Sequence, residues 1–187
     1  MRIAPPILAG LAAVLAVAGC GGGGGSTEST KSTESSTGSG ASISVTSDFK
    51  PGATIPRSHT CDGQDGSPPL HVIGLPSATR EVVVIMRDPD APGGNFIHWA
   101  FAGLHPARGS LSLPPGATPA GTVLGRNSFG SLGYRGPCPP SGGPHHYVIT
   151  AYALGQASGL HIGFSADDVS GLPVLGQGTL TGLYARR

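Results

Sequence analysis

The chain alternates between short apolar runs and stretches rich in glycine, proline, serine and threonine. Residues 43–47, Ile-Ser-Val-Thr-Ser, alternate as a strand with one buried face does. Residues 49–52 read as a turn. Residues 55–60 read as an edge segment, because Pro56 has no N–H to give to a ladder. A polar loop from Cys61 ends in Ser67-Pro68-Pro69 and leads into a short strand over 70–73. Residues 81–87 predict another strand, and its part 82–86 is apolar on both faces, as a central, doubly covered strand should be. Residues 95–104 alternate again, with Phe96, His98, Ala100 and Ala102 on one face and Ile97, Trp99 and Phe101 on the other. Residues 106–122 form a Gly/Pro-rich connection, and strands follow over 146–154 and 178–184. Ser165-Ala166-Asp167-Asp168 opens a short helix in capping-box style, with aspartate in place of the usual glutamate, and Gly171 and Pro173 stop it early. The pattern is that of a mostly β protein with a few short helices, and no internal repeat is visible.

The N-terminus follows different rules. Arg2 precedes an apolar run over 7–18 that is too short to span a bilayer comfortably. A short charged region followed by such a run is the pattern of an export signal, here over 1–19. It ends in Val17-Ala18-Gly19-Cys20, which resembles a bacterial lipobox. That resemblance implies that Cys20 becomes the lipidated first residue, carrying acyl chains such as palmitate, and that the chain is an exported cell-membrane lipoprotein with its domain on the extracytoplasmic side. Ordinary signal cleavage and an uncleaved anchor are the alternatives. Residues 20–40 then hold Gly, Ser and Thr with few apolar side chains, a composition that cannot bury enough surface to fold. They form a tether with a typical reach of about 25 Å. The five glycines after Cys20 are no phosphate loop, since no preceding strand and no Lys-Ser or Lys-Thr accompany them. The folded domain is residues 41–187.

Composition narrows the function. Charged residues make up 11% of the 187 and the net charge is +1, so there is no basic footprint for nucleic acid. Gly 32 and Pro 18 suit a loop-rich β architecture, with residues 21–25 inflating the glycine count.

Candidate chemistry centres on the segment 87–99. Strand 81–87 ends in Asp88 and Asp90 split by a proline, a Pro-Gly-Gly turn follows, and the next strand carries His98 beside the chain's single tryptophan. Carboxylates and a histidine brought to one sheet edge by a rigid turn suggest a polar pocket. Solvated aspartates in an ordinary proline turn are the plainer reading.

A second segment adds weight. Gly133-Tyr134-Arg135-Gly136-Pro137-Cys138-Pro139-Pro140 precedes Gly143-Pro144-His145-His146-Tyr147. With Asp88-Pro89-Asp90-Ala91-Pro92 and His98-Trp99, these motifs resemble the phosphatidylethanolamine-binding protein family, more closely its bacterial, Raf-kinase-inhibitor-like branch. The resemblance runs from about residue 44 to 184. Arg126-Asn127-Ser128-Phe129-Gly130 is similar to a family segment with aspartate where Ser128 stands. His71-Val72 stands where the family usually has a tryptophan, His146 where it usually has arginine, and the helix near 166 is shorter than is common there.

The resemblance implies an antiparallel β architecture in which a large sheet packs on a smaller one, and an anion pocket gathering Asp88, Asp90, His98, His145 and Tyr147. It also implies N–H donors from the turn at 136–138, including Cys138. Strand periodicity puts His145 and Tyr147 on one face and His146 on the other. A carboxylate can fix a histidine's tautomer and keep it cationic. Histidine, tyrosine hydroxyl and backbone N–H can then face an anionic oxygen.

The implied function is a binding module for phosphate-like or phospholipid-head-group ligands, without cofactor and without catalysis. A protein-interaction or inhibitor role toward a kinase or protease is the alternative. A weak hydrolase is a third, but Ser141 near His145 lies in no Gly-x-Ser-x-Gly elbow. A metal site from Asp88, Asp90, His98 and His145 is chemically conceivable, yet no His-x-x-x-His spacing supports it. In an oxidising compartment Cys61 and Cys138, the two cysteines other than Cys20, are expected to pair.

Overall fold

The computed structural model describes residues 42–186. The export signal, Cys20 and the tether lie outside the described residues. Eight strands and one short helix follow in order: β1 (Ser44–Thr46), β2 (Leu70–Ile73), β3 (Glu81–Asp88), β4 (Phe96–Leu104), β5 (Ser110–Leu113), β6 (Val123–Leu124), β7 (His145–Leu154), α1 (Ala166–Ser170) and β8 (Val174–Tyr184). They form a three-stranded sheet, β1-β2-β5, and a five-stranded sheet, β6-β4-β3-β7-β8, antiparallel throughout.

β3 sits at the centre of the larger sheet, as its two-sided apolar run requires. Val84 and Met86 join one core with Trp99, Phe101, Tyr147 and Ile149, completed by Val45, Leu70, Val72, Leu111 and Leu113 of the smaller sheet. Val83 and Ile85 face the other way, into a second cluster with Ala100, Ala102, Phe164, Ala166 and Val169. The five residues of 82–86 are fully buried, each side chain larger than alanine contributing about 1.5–3 kcal/mol. α1 is held over the outer face by the predicted capping box, in which Ser165 Oγ accepts from Asp168 N and the Asp168 carboxylate accepts from Ser165 N.

Four expectations change. Residues 52–55 line the edge of β8, with Ile55 N donating to Leu183 O and Leu183 N to Ala53 O. The chain then turns through a 3-10 segment, Arg57–His59, instead of running extended to residue 60. The connection 106–122 contains β5, whose Leu111 and Leu113 point inward beside β2. β8 starts at Val174, four residues earlier than its pattern indicated.

The fourth change matters most for the site. β4 does not keep one alternation. Arg87 pairs with Ile97 and Met86 with Trp99, so His98 is the extra residue of a bulge. Bulges re-aim side chains and favour the neighbourhood of functional sites. Here Trp99 and Phe101 come to the same side of the sheet as Phe96 and His98, while Ile97 joins Ala100 and Ala102 on the other.

Candidate functional site

Three neighbouring strands end together. β3 finishes at Asp88, opposite Phe96 of β4, and Arg87 pairs with Val148 of β7, which places Tyr147 and His145 alongside. Asp88 is buried and both its oxygens are engaged. Oδ1 accepts from Asp90 N at 2.9 Å and Oδ2 accepts from His145 Nδ1 at 2.8 Å. The carboxylate thereby fixes the His145 tautomer and leaves Nε2 for a ligand.

His98 is fixed differently. Its Nδ1–H donates to the carbonyls of Arg135, at 2.8 Å, and Gly136, at 3.1 Å. Arg135 N returns a bond to His98 O. A carboxylate was expected in this role, but the turn supplies carbonyls. The same turn offers fewer N–H donors than expected. Gly136 N is taken by Asp65 Oδ1, Pro137 has no N–H, and Cys138 N is left without a protein acceptor among the described residues.

The turn is braced on several sides. Cys138 is disulfide-bonded to Cys61, with Cα atoms 5.4 Å apart, and Asp65 pairs with Arg135 at 2.9 Å. Gly136 must be glycine, since a β-carbon there would lie 2.8 Å from Thr60 Cα and collide with the His59 carbonyl.

Electrostatics separate the members. Burial pushes the His98 pKa below the ordinary histidine value, against the pull of the two carbonyls and the Asp88 carboxylate. The expectation that neighbouring aspartates raise it fails because desolvation outweighs them. Burial, then the Asp88 charge, pushes the Tyr147 hydroxyl well up, so it is a neutral donor. That hydroxyl is buried without a hydrogen-bond partner among the described residues. It feels the Asp88 carboxylate, yet the two do not reach hydrogen-bond geometry. The His98 ring meets the Tyr147 ring edge-to-face with centroids 5.1 Å apart.

The structure brings Asp88, His98, His145 and Tyr147 together. Asp90 stands at the rim. Its Oδ2 accepts from both the backbone N and Nδ1 of His146 at 2.7 Å, and the His146 backbone N–H, then its side chain, hold the Asp90 pKa down. His146 thus points away from Tyr147, as alternation predicted, and takes Asp90 with it. Among the described residues no three His, Cys, Asp or Glu side chains gather as a metal-holding group.

Sequence reasoning missed the aromatic rim. Phe129 packs against Phe96 at 4.9 Å and against His98 at 5.4 Å, with the Arg135 guanidinium 5.4 Å over its ring. Its only signal was the segment 126–130. Asn127 holds that loop: its buried amide donates to Ser131 Oγ and Gly133 O and accepts from Phe129 N and Ser131 N. Ser128, where aspartate was expected, still accepts from Ile97 N at 2.9 Å and so ties the loop to β4. A cleft of about 750 Å³, lined by Arg57, Asp62, Pro144, Tyr184 and Arg186, begins one residue from His145.

Comparison with known proteins bears on the family and the fold. The family described as phosphatidylethanolamine-binding protein matches residues 45–185. The UPF0098 protein of Pyrococcus horikoshii is 39% identical over 157 residues, covering 78% of each chain. A Mycobacterium tuberculosis protein named "Putative lipoprotein LppC" is 44% identical over 107 residues, 57% of this chain and 52% of that one. The crystal structure of Escherichia coli YbcL, described as a new member of the mammalian PEBP family, superposes with a TM-score of 0.71 at 31% identity, over 79% of this chain and all of that one. The chain belongs to the phosphatidylethanolamine-binding protein family.

Proposed function

We propose that the domain is a non-catalytic binding module whose pocket takes one anionic group, that of a phosphate or a phospholipid head group. One observation carries the reading: the buried Tyr147 hydroxyl has no partner among the described residues, beside two histidines whose Nδ1 atoms are committed and whose Nε2 atoms are not. A buried hydroxyl left unpaired costs about 1–3 kcal/mol, and a ligand oxygen would satisfy it. Binding of an anion draws a proton onto His98. The Tyr147 hydroxyl and the two Nε2 atoms suit a single tetrahedral group, with the rest of the ligand lying over Phe129 or in the neighbouring cleft. The chain would be exported and held at the membrane by a lipidated Cys20, a reading supported by the name of the mycobacterial relative.

Calorimetric titration with glycerophosphoethanolamine and with inorganic phosphate tests the pocket. His98→Gln should weaken both by at least about tenfold, the worth of one charge-assisted bond. Undiminished binding by that variant rejects the reading. Docking of a protein partner at the pocket mouth is the second reading, favoured by Phe129, which is 43% exposed next to His98.

A further inference from the structure

The end of the larger sheet away from Asp88 carries a second polar cleft. It lies between the β2–β3 turn and the β4–β5 connection, has a volume of about 520 Å³ and is lined by Ser77, Thr79, Arg80, Arg108 and Gly109 among others. β3 begins directly after Arg80 and ends at Asp88, so the two sites stand roughly 23 Å apart along the strand.

Four features of this cleft point to an anion. Arg80 and Arg108 are exposed, and among the described residues neither guanidinium meets a carboxylate or a hydrogen-bond acceptor. The adjacent acid, Glu81, is spent elsewhere: it is buried and its oxygens accept from Gly103 N, Ser158 N and Ser158 Oγ. Thr79 Oγ1 is buried without a partner among the described residues. Arg108 has a φ of 50° and Gly109 of 76°, in a two-residue hairpin turn closed by Ala107 and Ser110. Asparagine or glycine is the favoured residue at the position Arg108 occupies, and a strained backbone that holds a functional side chain is a recurrent feature of binding sites.

We propose that Arg80 and Arg108 form a second anion site that takes a phosphate group, with the Thr79 hydroxyl beneath them. Two planar guanidinium forks match a tetrahedral oxyanion, which offers each a pair of oxygens. The phosphate has two possible sources, a soluble ester or an anionic phospholipid surface. Surroundings of the cleft bear on the second source. Ile73, 56% exposed, pairs in register with Ser110 beside the turn. An aliphatic side chain next to two cations suits a phospholipid interface.

Titrating the full-length chain with glycerol 3-phosphate counts the sites. Two are expected: one is removed by His98→Gln, the other weakened about tenfold or more by Arg80→Gln and by Arg108→Gly, and it weakens as salt is raised. Arg108→Gly also relieves the left-handed backbone, so its melting temperature should hold or rise, and a binding loss then cannot be misfolding. The two sites fail separately: a site lost with Arg108→Gly but indifferent to His98→Gln upholds this proposal even if the first pocket is empty. Sedimentation with vesicles of phosphatidylcholine, with and without phosphatidylglycerol, identifies the source. A gain on phosphatidylglycerol that Arg108→Gly abolishes assigns the lipid, and no such gain with intact glycerol 3-phosphate binding assigns a soluble ester. If Arg80→Gln and Arg108→Gly alter neither the titration nor the vesicle gain, the proposal is overturned.

Discussion

Replacing Tyr147 by phenylalanine separates the stability of this domain from its function. The side chain is wholly buried and its hydroxyl has no protein partner. Removing the hydroxyl removes a desolvated group whose burial costs about 1–3 kcal/mol, at almost unchanged volume. The unliganded domain should therefore gain up to about that much, and a domain of this size melts about 2–4 °C higher per kcal/mol. Binding moves the other way. A hydroxyl that donates to an anionic oxygen contributes about 1.5–3 kcal/mol, so affinity for glycerophosphoethanolamine should fall roughly 10- to 150-fold. Thermal denaturation without ligand and calorimetry with it measure the two effects on the same preparation. A Tyr147→Phe protein that melts lower would show that the hydroxyl has a partner inside the fold, Asp88 being the obvious one. A protein that melts higher but binds unchanged would show that the hydroxyl does not face the ligand. Either result refutes the reasoning.

Other predictions rest on single features. His146→Gln should leave diester binding within about twofold, because His146 is turned to Asp90 at the rim, whereas His98→Gln weakens it, and equal losses in calorimetry would contradict the arrangement. His98 has a lowered pKa in the folded state, so the unfolded chain takes up the proton first. Stability should be fully present above the ordinary value of 6.5 and fall as the pH drops from there toward the native value, an effect on melting that His98→Gln removes. By the same sign, anion binding takes up a proton at neutral pH, and diester affinity should fall as the pH rises. Reducing Cys61–Cys138, which spans 77 positions, should cost up to about 4.5 kcal/mol in chemical denaturation and loosen the turn that holds His98. Cys20→Ala should release the protein from membranes in a carbonate wash, and retention would exclude a lipid anchor.

Much of this molecule is decided by local pattern. The two-sided apolar run at 82–86 reads as a doubly covered strand, and the smaller sheet that covers one of its faces follows from the alternation of its own residues. Ser165 and Asp168 announce their helix because capping is a local exchange of hydrogen bonds. The period of two places Tyr147 and His145 opposite His146 without reference to any other strand. What the chain does not show locally is settled by contacts between distant residues. The bulge at His98 arises where β4 matches β3, and one extra residue brings Trp99 and Phe101 to the side of Phe96 and His98. The two carbonyls that orient His98 come from Arg135 and Gly136, 37 and 38 positions away. Its depressed pKa is a property of burial, which no carboxylate count along the sequence could supply. Asp90 reads as an equal of Asp88 in the motif, yet one is sealed beneath His145 and the other lies at the rim with His146, because β3 ends at Asp88 and Asp90 lies in the turn beyond it. Periodicity determines which residues can share a face, and tertiary packing determines which of them lose water, and loss of water sets their chemistry.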